Sequence, residues 1–153
     1  MMAHLELGQE NEALRYCKLY LDRMEALNQY VPYQMPQVIY ILMHSGSTEE
    51  ASFYLKRMIE YDQDALNSNP LDLLMRSLFI NALMNKTENI YNDLSSIARQ
   101  ERLNIWVTKL RNSPEFKEIS GEPEFLRLVV EIEKKYQAQR ERDRKWLVEN
   151  EML

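Results

Sequence analysis

The amino-acid sequence predicts an all-α protein: an array of about three helical hairpins, closed by a C-terminal capping segment and a long final helix. Three observations carry this. First, the 153 residues include only 3 Gly and 5 Pro, few for a β-protein with many tight turns, while Leu, Glu, Met and Arg favour helices. Second, a short signature recurs: Leu7-Gly8-Gln9-Glu10-Asn11-Glu12-Ala13, then Ser45-Gly46-Ser47-Thr48-Glu49-Glu50-Ala51, then a degraded Met84-Asn85-Lys86-Thr87-Glu88-Asn89-Ile90. Gly8 and Gly46 lie 38 residues apart, and Asn85 lies 39 beyond Gly46; a fixed period of this size marks a helical-repeat architecture. Third, the segments after each signature place apolar residues at spacings of three and four, the rhythm of an amphipathic helix.

The first unit begins with a stub before Gly8, whose ready access to the left-handed conformation suits a turn between helices. A helix over about 10–28 follows, carrying Ala13, Leu14, Cys17, Tyr20, Leu21 and Met24, with Glu12 toward solvent and Ala13 small where two helices approach. The second unit starts at Pro32 or Pro36, since proline fits a first helical turn, and runs to His44. Ser47-Thr48-Glu49-Glu50 reads as a capping box. The next helix buries Ala51, Tyr54 or Leu55, Met58 and Ile59, and ends near Leu66. Asn67-Ser68-Asn69-Pro70 breaks the chain, with Asn69 as cap and Pro70 in the first turn. The third unit carries Leu71, Leu74, Met75, Leu78, Phe79 and Leu83 on its first helix, and Ile90, Leu94 and Ile97 on a second over about 87–100.

After Arg102 the period ends. A helix over about 104–111, with Ile105, Trp106, Val107 and Leu110, leads to two Pro-Glu-Phe runs at 114–116 and 123–125. Each sets a proline near a helix start and an aromatic one turn inside it. From the second, a helix extends to about residue 150, with Phe125, Leu128, Val129, Ile132 and Tyr136 as an apolar stripe, a polar stretch over 137–145 and a closing Trp146-Leu147-Val148. The division drawn from this pattern is helical repeats over 1–112, and a capping turn with a long charged helix over 113–153, in the same domain or packed on it. The chain opens in what reads as the second half of a helix, the expectation for a piece of a longer protein.

A net charge of −5 and a pI near 5.2 argue against direct nucleic-acid binding, which needs a broad basic face. The longest apolar run, Val38-Ile39-Tyr40-Ile41-Leu42-Met43, falls far short of the roughly 20 residues of a membrane span, and the N-terminus lacks a signal-peptide pattern. A single Cys17 excludes an internal disulfide and leaves the compartment open.

The period, with Gly8 and Gly46 in the turns and Ala13 and Ala51 five residues later, resembles the tetratricopeptide repeat (TPR), a hairpin of roughly 34 residues that stacks into a right-handed superhelix. The likeness spans about residues 1–102. The third copy departs at both positions, with Asn85 and Ile90, although Asn is an acceptable substitute in a left-handed turn. The family's large aromatic falls on Cys17, Leu55 and Leu94, its later small residue on Tyr20, Met58 and Ile97, and its closing proline is missing. The tail, through Pro123, Phe125, Leu128 and Gln139-Arg140, is similar to the ending of bacterial TPR-containing regulators in which a winged-helix or nucleotide-cyclase domain precedes the repeats. That resemblance implies a non-catalytic interaction or regulatory module of a bacterial transcriptional regulator or signalling protein. A free-standing TPR adaptor is the alternative, and a small-molecule sensor a third. Cytoplasmic placement is favoured, and a periplasmic one follows if the whole protein is membrane-anchored.

No residue pattern supplies chemistry. His4 and His44 lack zinc-ligand spacing and read as surface or groove residues. Cys17 falls on a face that wants a packing residue, and structural cysteines are inert when buried. No nucleophile elbow, phosphate loop or dinucleotide fingerprint occurs, so neither an enzyme nor a cofactor is expected. In a TPR array the first helix of each unit lines the concave groove. That places Tyr33, Gln37, Tyr40 and His44, then Asp72, Met75, Arg76 and Phe79, as a candidate groove for a protein or peptide partner. Aromatics, Met and Arg are enriched at interface hot spots, although the same stripe serves a core equally well. The run 134–145 holds six Lys/Arg against two acids and reads either as a solvated helix face or as a docking surface, for self-association or for an upstream domain, anchored by Trp146 and Leu147.

Overall fold

In a computed structural model describing residues 4, 7–27, 34–63, 69–150 and 152, the protein is all-helical. Helix α1 spans Glu10–Ala26, α2 Met35–His44, α3 Thr48–Gln63, α4 Pro70–Leu83, α5 Thr87–Arg99 and α6 Pro123–Glu149, with 3₁₀ turns at Ile105–Asn112 and Pro114–Phe116. The chain forms two compact units, Met1–Ser68 and Asn69–Leu153.

The recurring signature is one backbone device used three times. Gly8, Gly46 and Asn85 have φ of 70°, 81° and 53°, the left-handed conformation that closes a helix. The residue after each donates its N–H to a carbonyl five residues back: Gln9 to His4 at 2.7 Å, Ser47 to Leu42 at 2.9 Å and Lys86 to Asn81 at 2.9 Å. These bonds satisfy carbonyls that a helix end leaves without partners. Next, the carbonyls of Gln9, Ser47 and Lys86 accept from Ala13, Ala51 and Ile90, each at 3.0 Å, opening α1, α3 and α5. All three acceptor-bonded residues are buried. A Cβ at Gly8 or Gly46 would meet nothing, so backbone conformation alone selects glycine there.

In the first unit, α1 buries Ala13, Cys17 and Leu21 at four-residue spacing, with Leu14, Tyr20 and Met24 half-buried at the margins. α2 is apolar on nearly every side, burying Met35, Pro36, Val38, Ile39, Ile41 and Leu42, because it packs against both α1 and α3. Pro36 sits in its first turn; Pro32, the alternative start, lies outside the described residues. α3 turns Ala51, Tyr54 and Met58 inward, while Leu55 and Ile59 are half-buried, so Tyr54 holds the position that periodicity shared between Tyr54 and Leu55. The α3 end expected near Leu66 also lies outside the described residues.

In the second unit, the Asn69 carboxamide oxygen accepts from the Leu71 N–H at 3.0 Å and Pro70 opens α4, as the sequence anticipates. α4 and α5 pack as a hairpin, joined on one side by a polar ladder. There the Ser77 hydroxyl donates to Asp93 at 2.9 Å and the Asn81 amide donates to the same oxygen at 2.8 Å. The next segment departs from expectation: residues 105–112 form a 3₁₀ helix, not an α-helix, capped by Asn104, which accepts from the Trp106 N–H at 3.1 Å. The buried positions give the reason. Val107, Leu110, Ser113, Phe116 and Ile119 recur every three residues, the 3₁₀ period, and Ile105 is left exposed. Pro114–Phe116 is likewise a single 3₁₀ turn rather than a helix start.

α6 buries Phe125, Leu128, Val129, Ile132 and Tyr136, the stripe read from sequence. Phe79, Phe116 and Phe125 run through this core with ring centroids 5.4 and 5.6 Å apart. α6 also closes the ends of its neighbours. Lys135 donates to the Ala98 carbonyl at 2.9 Å at the end of α5. Gln139 accepts from the Leu103 N–H at 2.8 Å and donates to the Leu103 carbonyl at 3.0 Å. Phe116 to Tyr136 therefore share one core with the third hairpin, and the chain divides into compact units after Ser68.

Candidate functional surfaces

The expected groove residues divide between the units, and each set belongs to its own surface. On α2, the His44 ring stacks on Tyr40 with centroids 3.9 Å apart, and His44 Nδ1 lies 2.9 Å from the Tyr40 carbonyl. Since a carbonyl only accepts, Nδ1 carries the proton. Gln37 and Tyr40 are half-buried and His44 is exposed, giving α2 one aromatic, polar strip. Tyr33 lies outside the described residues.

On α4 the expected strip separates into different roles. Met75, 2% exposed, is part of the core, and Phe79 packs at the core's edge against Phe116. Arg76 is 4% exposed and its Nε lies 3.4 Å from the Asp72 carbonyl. Asp72 accepts from the Asn104 amide at 3.1 Å. Of this set, none is classed as exposed. Phe116 packs on Phe79 and Asn104 reaches Asp72, contacts that hairpin periodicity alone could not anticipate.

Among the described residues no group of three His, Cys, Asp or Glu is placed to hold a metal. Cys17 is fully buried, with its thiol 3.9 Å from the Val38 carbonyl, and burial, reinforced by Glu50, raises its pKa to about 11. It is a protonated packing residue at neutral pH.

Two open clefts and one buried acid were not legible as sites. Between α1 and α3 lies a cleft of about 500 Å³ lined by Lys18, Leu21, Asp22, Glu25, Glu49, Glu50, Phe53 and Tyr54. Tyr54 donates to Glu25 at 3.1 Å; burial first, then this bond and the Glu25 charge, push its pKa up to about 12. Lys18 reaches Glu50 at 3.6 Å, so four carboxylates share the cleft with a single lysine, beside a Phe53 ring that is 58% exposed. The second cleft, about 570 Å³, lies between the 105–112 turn and α6. Its Arg111 and Glu133 satisfy each other in a two-pronged pair at 2.6 and 3.1 Å. Neither would have been found from spacing, because α1 and α3 bring together carboxylates some 25 residues apart in the chain.

Glu115 is the buried acid. It is 8% exposed, neither carboxylate oxygen has a hydrogen-bond partner among the described residues, and burial raises its pKa from 4.5 to about 7, with its own backbone amide a weaker opposing influence. The other Pro-Glu-Phe run supplies a control: Glu124 is exposed, pairs with Arg127 at 2.8 Å, and that pairing lowers its pKa.

The fold and its surfaces therefore define an all-α, helical-hairpin protein with open, charged and aromatic faces. No protein-family model, curated protein or solved structure matches this chain. Among the described residues no helix is long and apolar enough to cross a membrane.

Proposed function

We propose that this chain is a non-catalytic protein–protein interaction module, the TPR-like C-terminal region of a bacterial transcriptional regulator or signalling protein. The observation that carries this reading is the threefold turn at Gly8, Gly46 and Asn85, with the same left-handed residue and the same five-residue back-bond each time. Repetition of one hairpin device builds extended surfaces rather than enclosed pockets. Both clefts described above are open, and in the second Arg111 and Glu133 answer each other. The α2 strip of Gln37, Tyr40 and His44 is the face offered to a protein or peptide, with Tyr40 as its aromatic anchor.

A photo-crosslinking amino acid placed at Gln37 or His44, with exposed Lys56 as control, tests this in cells that express the protein. The expected result is a discrete protein adduct from the two α2 positions that Lys56 does not give. Equal labelling at all three positions overturns the α2 proposal. A large thermal stabilisation by one metabolite in a ligand screen overturns the interaction reading in favour of a sensor.

A further inference from the structure

The polar end of α6 is a helix without a core to cover. Beyond Tyr136, α6 continues to Glu149, roughly 20 Å of helix at 1.5 Å per residue. Residues 140–146 and 148 are all exposed, Trp146 at 56%. Arg140, Arg142 and Arg144 make no ion pair among the described residues, and Lys145 reaches only Glu149, at 3.8 Å. Within this end, residues 140–145 hold four Lys/Arg against two acids. An exposed tryptophan one turn beyond an unpaired arginine, Arg142 to Trp146, has the composition of an interface anchor.

The charge distribution says what this helix end fits. Residues 1–68 carry 5 Lys/Arg and 10 Asp/Glu, whereas residues 69–153 carry 14 of each. All of the chain's net negative charge therefore resides in the first unit. It concentrates in the α1–α3 cleft, where Asp22, Glu25, Glu49 and Glu50 face Lys18 beside the exposed Phe53 ring. Two 140–145 segments laid against each other would bring net positive charge together. An α6 end in the cleft instead sets arginines against carboxylates and Trp146 against Phe53.

We infer that the chain associates head to tail with a second copy of itself, the basic, tryptophan-tipped end of α6 on one copy docking in the acidic α1–α3 cleft of the next. This rests on the interaction reading above and names one partner for it. The two surfaces differ, so the contact builds a reciprocal pair, a ring or an open chain.

Sedimentation velocity on the 153-residue chain tests this over a range of concentrations and salt. The expected result is concentration-dependent association that weakens as the Debye length falls from about 10 Å at 0.1 M salt to about 3 Å at 1 M. Asp22→Lys/Glu49→Lys and Arg142→Glu/Lys145→Glu alter only exposed residues, and circular dichroism checks that each folds. Each variant alone should associate at least about tenfold more weakly than the parent. Mixed together they should associate again, because each supplies the surface the other lacks. Trp146→Ala should weaken association without changing charge. A parent chain that stays monomeric at low salt, a charge variant that associates like the parent, or a mixture that fails to recover each overturns the proposal. Crosslinking at Gln37 and His44 to a different protein would survive all of these outcomes, so the head-to-tail contact and the broader interaction reading fail separately.

Discussion

The two compact units solve the same problem with different materials. The first is acidic, and its described core contains no phenylalanine: Ala13, Cys17, Leu21, Met35, Val38, Ile39, Ile41, Leu42, Ala51, Tyr54 and Met58. Its helices meet through small and aliphatic side chains across a sharp turn. The second is neutral, and it adds to one such hairpin an irregular closure: two 3₁₀ turns, fully buried Phe116 and Phe125, and α6. A hairpin array has an open end wherever it stops, and the exposed apolar face there must be covered. The comparison teaches that periodic elements build the array while aperiodic ones terminate it. The termination also accommodates a costly group, the unpartnered Glu115, inside otherwise apolar packing.

The sharpest way to break the comparison is to empty the closure. Phe116→Ala removes a fully buried ring and should cost about 3–5 kcal/mol. Hydrogen exchange should then show α4–α6 amides losing protection while α2 amides keep theirs. Equal losses in α2 would make the two units one cooperative body. The next effect comes from Glu115. Its pKa is raised in the fold, so the folded chain holds its proton longer than the unfolded chain does. The stability from keeping it neutral is present in full below about pH 4.5 and is lost as the pH rises through about 7. The shift corresponds to about 3 kcal/mol at pH 8. Glu115→Gln should therefore flatten the fall in second-unit stability between these pH values, as read by denaturant melts and exchange. An unchanged pH profile would remove Glu115 as its source.

Smaller effects test the individual devices. Gln139→Ala leaves both Leu103 backbone groups without their α6 partner and should cost about 1–3 kcal/mol; a loss confined to a few tenths would show that water replaces them. Gly46→Ala forces a side chain into a left-handed turn and should cost about 1–2 kcal/mol, seen in the first unit. Asn85→Gly relaxes the equivalent turn of the second unit and should gain at most about 0.5 kcal/mol, offset by the greater freedom of unfolded glycine. A loss on Asn85→Gly would mean that the asparagine side chain, not its backbone, matters there.

Several elements were legible because their causes are local. Asn69-Pro70 announces a helix start through a cap and a fixed φ, and the structure has both. The stripe from Phe125 to Tyr136 is periodic along one helix, so one face suffices to find it. Asn85 as a left-handed substitute follows from its own side chain. The 105–112 segment is ambiguous in sequence because its apolar residues fit both a 3.6 and a 3.0 period over so short a span. Met75 and Arg76 share a helix face that periodicity finds, but whether that face is groove or core depends on what lies against it, and in the structure both are buried. The acidic cleft depends on α1 and α3 meeting side by side, and no spacing in the chain encodes that.

The sequence by itself determined the helical class, the repeated turn and the stripe that α6 buries, because backbone preference and side-chain period act over a few neighbouring residues. Only the tertiary structure decided the fate of the two Pro-Glu-Phe runs. At 123–125 the glutamate opens a helix at the surface and pairs with Arg127 one turn away. At 114–116 the same tripeptide lies in a 3₁₀ turn whose period of three carries Phe116 into the core and leaves Glu115 buried beside it. The two glutamates thus shift in opposite directions, because the free energy of a charge is set by the water and partners around it: a neighbouring arginine and open solvent for Glu124, and burial in tertiary packing for Glu115.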